Sequence, residues 1–188
     1  TWSHPLAQIA DITTIGIAGH SFGALTSLRT ALLDPRLKAV LAHTPTEIDL
    51  VQFGLESTLN QTGIPIMIQG GSKDRTLPIH SNADTVWDQL GTPSYYLTID
   101  RAGHYTFSDL CIFDVESLDD SLGLEVSTVL TDGCGDENTS TQEAFTLINH
   151  FSIGFFNSYL RNSHLTLPQL TQDRAQSLTT EDLTLRTK

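Results

Sequence analysis

Basic residues are scarce in this sequence of 188 residues, and their scarcity limits its partners. Ten Lys and Arg stand against 22 Asp and Glu, which gives a formal net charge of −12 at pH 7. Because like charges repel at short range, this balance opposes binding to phosphate backbones and to anionic lipid. We therefore expect no nucleic-acid partner.

Long hydrophobic runs are also missing. No apolar run approaches the roughly 20 residues that cross a bilayer, so no membrane span is expected. The first residues, Thr1 to Pro5, have no basic-then-apolar secretory pattern and no initiator Met. Either processing removed the true N-terminus or the chain is part of a longer polypeptide. A composition that is 39% hydrophobic and 17% charged fits one soluble globular domain.

Cysteine occurs only at Cys111 and Cys134, and both lie in an acidic stretch, residues 102–160, that contains no Lys or Arg. A disulfide between them would close a loop of about 24 residues and stabilise the protein by roughly 3 kcal/mol. A loop without its own core needs a cross-link more than a packed element does. We therefore expect an acidic, disulfide-closed loop over residues 105–140 in a secreted or periplasmic protein. Two reduced thiols in a cytosolic protein are the alternative.

Short apolar runs alternate with helical patterns along the chain. The runs that suit buried parallel strands are Ile12–Ala18, Leu37–Ala42, Pro65–Gln69 and Tyr95–Ile99. Helices are expected over Phe22–Leu33, His80–Leu90 and Thr141–Leu160. The alternation predicts an α/β fold over residues 1–160, with active-site residues beyond the carboxyl ends of the strands. Residues 161–188 are polar and aperiodic, and we expect them to form a tail.

The segment Gly19-His20-Ser21-Phe22-Gly23 matches G-x-S-x-G and lies between the first predicted strand and the first predicted helix. A Ser in this sharp turn is held in a strained conformation that lifts its Oγ clear of the sheet. The turn also aims the first helical amides at the site, so the N–H of Phe22 can stabilise an oxyanion. This context favours Ser21 as a nucleophile over a glycine-rich structural turn.

A nucleophilic Ser needs a base, and the base must be oriented by an acid. The chain order expected for this type of sheet is Ser, then Asp or Glu, then His. Asp74 follows the third predicted strand and His104 follows the fourth, so both have the required order and place. Asp100 is the substitute acid. Further candidates, for substrate binding, are His20, Thr44 and Pro45.

The elbow Gly-His-Ser-Phe-Gly-Ala, the acid turn Gly-Gly-Ser-Lys-Asp-Arg and the segment Ala-Gly-His-Tyr-Thr-Phe-Ser-Asp-Leu-Cys resemble the α/β-hydrolase superfamily. Within it they look most similar to predicted dienelactone-hydrolase and platelet-activating-factor acetylhydrolase-like esterases, with cutinase-like polyester hydrolases as near relatives. The resemblance runs from about Ile12 to Leu160. It implies ester hydrolysis through an acyl-enzyme, with Ser21 attacking, His104 as general base and then acid, and Asp74 fixing the imidazole tautomer. It implies no metal and no diffusible cofactor.

The sequence departs from that superfamily ahead of the elbow strand. Members normally have several strands there and a loop that supplies a second oxyanion amide, whereas about a dozen residues precede the strand here. We therefore expect the C-terminal half of an α/β-hydrolase sheet, with the elbow strand as a bare edge. Our hypothesis is that a separate N-terminal hydrolase chain pairs with Ile12–Ala18 and completes the oxyanion hole. A pseudo-enzyme fragment is the alternative.

The first functional hypothesis is a serine hydrolase acting on short acyl esters or, with an open cleft, on polyesters. A serine peptidase or amidase is the runner-up, because the same triad cleaves amides. A non-catalytic binding module that retains the elbow is the alternative from another class. Calcium could use hard oxygen ligands, but the EF-hand spacing is absent and a solvated acidic surface is the preferred interpretation. The residues considered for calcium are Asp132, Asp136, Glu137 and Asn138.

Overall fold

The computed structural model describes residues 9–47, 59–113 and 131–188. The strands in these ranges are β1 (Ile15–His20), β2 (Leu37–His43), β3 (Ile66–Gly71), β4 (Ser94–Ile99) and β5 (Leu183–Thr187). The α-helices are α1 (Phe22–Leu33), α2 (Ala83–Asp88), α3 (Thr141–Leu160) and α4 (Gln172–Gln176). Short 3₁₀ helices cover Leu59–Gln61, Ile79–Ser81, His104–Phe107, Asp109–Ile112 and Leu167–Gln169.

The strands form one sheet in which neighbours follow chain order, β1-β2-β3-β4-β5. Strands β1 to β4 are parallel, and β5 runs antiparallel to β4. In this register His20 pairs with His43, and His43 pairs with Gln69. Because parallel strands all point the same way, their carboxyl ends meet at one edge of the sheet. That edge is where the sequence predicts the chemistry to lie.

Helices cover both faces of the sheet. Helices α1 and α2 pack on one face through a cluster that includes Leu28, Val86 and the strand residue Ile68. Helix α3 packs on the other face, where Phe151 and Phe155 are fully buried. Strand residues therefore meet an apolar layer on each side, as the continuous hydrophobic runs predict. The mostly parallel α/β sheet predicted from the sequence is confirmed.

Most element boundaries agree with the sequence prediction, and the differences have local causes. Strand β1 begins at Ile15 because the Asp11 carboxylate accepts hydrogen bonds from Thr13 and Thr14 and holds the preceding residues in a turn. The helix predicted over His80–Leu90 is interrupted at Asn82, whose φ of −129° and ψ of −85° are not helical. A 3₁₀ turn precedes Asn82, and the shorter α2 follows it.

The prediction of a polar tail after residue 160 is wrong. Strand β5 is the edge strand next to β4, and Leu183 is buried in the cluster on the face of the sheet that α3 covers. The Arg186 guanidinium lies 4.3 Å from the centre of the Tyr96 ring and 5.3 Å from that of Trp87. A five-residue strand with Thr and Arg at alternate positions has too weak a hydrophobic pattern to be recognised. Its cation–π partners come from distant parts of the chain.

Strand β1 lies at the other edge of the sheet and, among the described residues, pairs only with β2. Its side chains are mostly half-buried. This agrees with the expected edge position of the elbow strand. Among the residues that the structure describes, no helix is both long enough and apolar enough to cross a membrane.

Candidate active site

Ser21 occupies the sharp turn that joins β1 to α1. Its φ is 57° and its ψ is −119°, a conformation that residues with a side chain rarely adopt. Two backbone hydrogen bonds hold it there: its N–H donates to the His43 carbonyl at 2.9 Å, and its own carbonyl accepts from the N–H of Ala24 at 3.0 Å. The turn is thus fixed by the neighbouring strand on one side and by the helix on the other. Backbone strain maintained in this way is typical of functional positions.

Gly19 and Gly23 flank the serine but have different steric roles. A Cβ added at Gly19 would lie 2.2 Å from the Gly23 carbonyl oxygen, so strand and helix can approach only because Gly19 has no side chain. A Cβ added at Gly23 would have nothing within 4 Å among the described residues. The close approach of strand and helix therefore requires a glycine at position 19 and not at position 23.

Phe22 is the first residue of α1. The first N–H groups of a helix have no acceptor within the helix, so its amide is one of those that face the turn. The aromatic side chain points away from the core and is 75% exposed. Phe22 therefore follows Ser21 directly in the chain, with its N–H in the first turn of α1 and its ring exposed.

Asp74 and His104 form a buried pair at the ends of β3 and β4. His104 Nδ1 lies 2.9 Å from Asp74 Oδ2. Because an ionised carboxylate only accepts hydrogen bonds, Nδ1 carries the proton and Nε2 is left as the basic nitrogen of the neutral ring. The other carboxylate oxygen of Asp74 accepts from the N–H of Leu77 at 2.6 Å. The Asp100 carboxylate instead accepts from Ser72 Oγ at 2.6 Å, so Asp74 is the acid that contacts His104.

His20 connects the serine turn to the His104 loop. Its Nε2 donates to the His104 carbonyl at 2.9 Å, and the two imidazole rings have centroids 4.7 Å apart. Burial lowers the pKa of His20, although its hydrogen bond to the His104 carbonyl opposes the shift. The neighbouring His43 is affected more strongly: burial, with a smaller contribution from His20, lowers its pKa to about 4. Both rings are therefore neutral at physiological pH, and neither adds a positive charge beside His104.

Thr44 and Pro45, the other candidates for substrate binding, are buried at the end of β2. Thr44 has a φ of 42°, and its N–H donates to the Gln69 carbonyl at 2.8 Å. Its Oγ1 has no hydrogen-bond partner within the described part of the chain. Neither side chain presents a surface to a ligand here, so their role in binding stays a prediction. His20 is half-buried and contacts His104.

Asp132 is a residue whose place the sequence does not reveal. Its carboxylate accepts hydrogen bonds from the backbone N–H groups of Arg75, Thr76 and His104, at 3.1, 2.7 and 3.3 Å respectively. Asn138, a second residue considered for calcium, donates from Nδ2 to the Arg101 carbonyl at 2.8 Å. The Asp132 oxygens that the calcium hypothesis requires thus face hydrogen-bond donors. Among the described residues, no group of His, Cys, Asp and Glu has an arrangement suited to a metal ion.

The predicted disulfide between Cys111 and Cys134 is present. It links the 3₁₀ helix that follows the His104 loop to the segment that contains Asp132. Five of the carboxylates of the acidic stretch lie outside the described residues: Asp114, Glu116, Asp119, Asp120 and Glu125. Because the disulfide joins Cys111 to Cys134 beside the His104 loop, the part of the acidic stretch between them is covalently closed next to the site.

A serine in a strained strand-to-helix turn and a buried Asp–His pair, all at the carboxyl edge of a mostly parallel sheet, are typical of α/β hydrolases. A family model described as PET hydrolase-like matches residues 1–112, which is more than half of the chain. The chain belongs to this family. The matched region includes Ser21, Asp74 and His104, whereas Asp132 lies beyond it.

The chain is also similar to the cutinase est1 of Thermobifida alba. The two are 27% identical over 97 residues, which is 50% of this chain and 30% of the cutinase. The chain thus matches less than a third of the length of that relative. Both comparisons support a carboxylic ester hydrolase of the α/β-hydrolase superfamily. They do not support a specific assignment to the dienelactone-hydrolase or platelet-activating-factor acetylhydrolase-like esterases.

Proposed function

We propose that this chain supplies the nucleophile, the base and the acid of a serine hydrolase that cleaves carboxylic esters through an acyl-enzyme. The observation that carries the proposal is the buried pair in which Asp74 Oδ2 lies 2.9 Å from His104 Nδ1. This contact fixes the tautomer that leaves His104 Nε2 free to take a proton. Such a base activates a hydroxyl nucleophile, and Ser21 in the strained elbow supplies that hydroxyl.

Each residue then has a defined task in the reaction. His104 Nε2 removes the proton from Ser21 Oγ, and the oxygen attacks the ester carbonyl carbon. The N–H of Phe22 stabilises the negative charge that forms on the carbonyl oxygen. His104 returns the proton to the leaving alcohol, and the acyl group stays on Ser21. Water, activated by the same imidazole, releases the acid and restores the serine.

The substrate class follows from the family and from one exposed side chain. The matching family is described as PET hydrolase-like, and the curated relative is named a cutinase. Phe22 is 75% exposed next to the nucleophile, which offers an apolar aromatic surface to an ester with a hydrophobic acyl group. These features favour polyesters and hydrophobic acyl esters over small polar esters.

Another hydrolase segment completes the site in this proposal. Strand β1 has one neighbour among the described residues, so its second edge is able to accept a strand. A second oxyanion amide also has to come from outside the elbow, and loss of one such donor costs about 10²–10³ in rate. We assign both to a separate N-terminal hydrolase chain. N-terminal sequencing and intact mass test this part, because one pure species that starts at Thr1 with full activity contradicts it.

The location of the enzyme in this proposal is outside the cytosol. The Cys111–Cys134 disulfide requires an oxidising compartment to persist, which the periplasm and the extracellular space provide. A polymeric or surface-bound ester is also accessible only from outside the cell. Fractionation of the source cells with an antibody to the chain tests this, and a reduced protein in the cytosol contradicts it.

The nucleophile is tested with an active-site fluorophosphonate probe on the natural full-length protein. We expect labelling of the wild type, none of Ser21→Ala, and unchanged labelling of the matched control Ser177→Ala, whose hydroxyl donates to the Arg174 carbonyl far from the elbow. A folded wild type that resists the probe contradicts catalysis and favours a binding module. p-Nitrophenyl esters compared with p-nitroanilide amides then separate an esterase from a peptidase.

A further inference from the structure

Asp132 is a buried carboxylate that contacts both loops of the catalytic pair. It is 6% exposed, and one of its oxygens accepts from the N–H and the Oγ1 of Thr76, both at 2.7 Å. Its other oxygen lies 3.1 Å from the N–H of Arg75 and 3.3 Å from the N–H of His104. Arg75 and Thr76 directly follow the acid Asp74. One side chain therefore binds the loop of the acid and the backbone of the base.

Backbone contacts from the same segment extend this connection. The Asp132 carbonyl accepts from the N–H of Tyr105 at 2.8 Å, and the Gly133 carbonyl accepts from Thr106 Oγ1 at 3.0 Å. A Cβ added at Gly103 would lie 2.7 Å from Asp132 Oδ1, so the two segments pack without space between them. The turn that carries His104 is thus bound on several consecutive residues by Asp132 and Gly133.

We propose that Asp132 is a positioning residue that sets the distance and angle between the Asp74 carboxylate and the His104 imidazole. The inference rests on the proposed function, because it assigns those two residues to acid and base. Asp132 does not touch the reacting atoms. It acts through the two loops, which come from the ends of different strands and which it joins with charge-assisted hydrogen bonds.

The charge of Asp132 suits this task. Burial disfavours the ionised form, but hydrogen bonds from the side chain of Thr76 and from backbone N–H groups, including that of Arg75, outweigh it and lower the pKa of the carboxyl. An ionised carboxylate accepts from several donors at once, whereas an amide of the same shape would place its own N–H groups against some of them. Asparagine is therefore a near-isosteric replacement that removes the function and keeps the volume.

The position of Asp132 is itself fixed by the disulfide. Cys134 follows it by two residues and is bonded to Cys111, which comes after the His104 turn. Cys111 Sγ also lies 3.4 Å from the Tyr105 carbonyl. The contacts of Asp132 to the acid and base loops and the disulfide at Cys134 therefore lie in the same short segment, and a displacement of Asp132 changes the geometry of the catalytic pair.

The test compares Asp132→Asn with Asp136→Asn in the natural full-length protein. Asp136 is an exposed carboxylate of the same segment, so it controls for charge and for the chemical change. We expect Asp132→Asn to lower kcat about 10- to 100-fold with little change in KM, because small misplacements of catalytic groups have costs of this size. Asp136→Asn keeps the wild-type kcat. An Asp132→Asn kcat within about twofold of wild type overturns the inference.

A double-mutant cycle separates positioning from a general loss of structure. If Asp132 acts through His104, adding Asp132→Asn to His104→Ala leaves the remaining slow rate unchanged. An equal further loss in the His104→Ala background indicates a purely structural role and overturns the inference. Should Asp132→Asn fail to fold, Thr76→Val replaces it in the cycle, because it removes only the Oγ1 donor to Asp132.

A spectroscopic readout tests the geometry independently of turnover. The Nδ1 proton that His104 donates to Asp74 gives a downfield exchangeable resonance in proton NMR, and we expect it to shift or broaden in Asp132→Asn and not in Asp136→Asn. If the wild type has no esterase activity, the proposed function fails while this comparison still decides whether Asp132 positions the pair. An active wild type with an unaltered resonance in Asp132→Asn refutes the positioning role alone.

Discussion

His104 Nδ1 lies 2.9 Å from Asp74 Oδ2, and the two side chains are 3% and 0% exposed. Water is thus excluded from the contact, which strengthens the hydrogen bond relative to the same contact in water. A buried imidazole without this partner would be free to rotate and to take the other tautomer. The geometry therefore makes the activity depend on the carboxylate rather than merely on a polar neighbour.

Replacing the acid tests this dependence. Asp74→Asn keeps the volume but replaces an acceptor oxygen or forces the wrong tautomer on His104, and we expect kcat to fall by about 10³–10⁴. The control is Asp100→Asn, which removes the charge of the carboxylate that accepts from Ser72 Oγ on a neighbouring loop and leaves the His104 contact intact. The kinetics of p-nitrophenyl ester hydrolysis give both values. Equal losses in the two variants would contradict the assignment of Asp74 as the acid.

The elbow glycines give a matched pair of stability variants. Gly19→Ala places a Cβ 2.2 Å from a backbone oxygen, so we expect the free energy of unfolding to fall by about 3 kcal/mol. For a protein of this size, the Tm is then lower by roughly 6–12 °C. Gly23→Ala meets nothing within 4 Å and should change the stability by less than about 1 kcal/mol. Thermal unfolding followed by circular dichroism measures both. A tolerated Gly19→Ala would mean that strand and helix are less constrained than the turn geometry requires.

The sequence was informative where local pattern and chain order carry the signal. The strand that precedes Ser21 lies in a short apolar run that is rich in β-branched residues, and the elbow motif gains its meaning from its position between that run and an amphipathic helix. Asp74 and His104 are predictable because a parallel sheet places the carboxyl ends of all its strands on the same side. These inferences need no knowledge of side-chain packing.

Long-range contacts could not be predicted from the sequence in the same way. Asp132 is one of ten carboxylates between Ala102 and Leu160, and nothing in their spacing indicates which one is buried. Its donors are mostly backbone N–H groups, which every sequence supplies. Strand β5 likewise depends on Tyr96 and Trp87 for its cation–π contacts, and these partners become neighbours only when the sheet has formed.

The pKa of His43 predicts a fall in stability on mild acidification. Burial lowers this pKa from 6.5 to about 4, so between these values the unfolded state binds a proton that the folded state does not. The contribution of the neutral His43 to the free energy of unfolding is therefore fully present above pH 6.5. It decreases as the pH falls toward 4, by up to about 3 kcal/mol. His43→Gln weakens this dependence and leaves the smaller contribution of the buried His20, whereas His164→Gln, at an exposed position, retains all of it. Urea unfolding across this range provides the test, and an unchanged slope in His43→Gln contradicts it.

Loss of the disulfide should lower stability and activity through different routes. Replacing both Cys111 and Cys134 with Ser restores the freedom of the unfolded loop, which costs about 3 kcal/mol and lowers the Tm by roughly 6–12 °C. The same change releases the segment that holds Asp132 against the His104 turn, so kcat falls even at temperatures where the variant is fully folded. Thermal unfolding and initial rates well below the Tm measure the two effects separately.

Reductant provides the control for the disulfide prediction. Dithiothreitol should reduce the activity of the wild type toward that of the double Ser variant, and it should leave the variant unchanged, because no other cysteines are present in the sequence. If the double Ser variant is less stable but keeps the wild-type kcat while folded, the disulfide only limits the unfolded state. That outcome would place the whole task of aligning the catalytic pair on the hydrogen bonds of Asp132, since these can form without the cross-link.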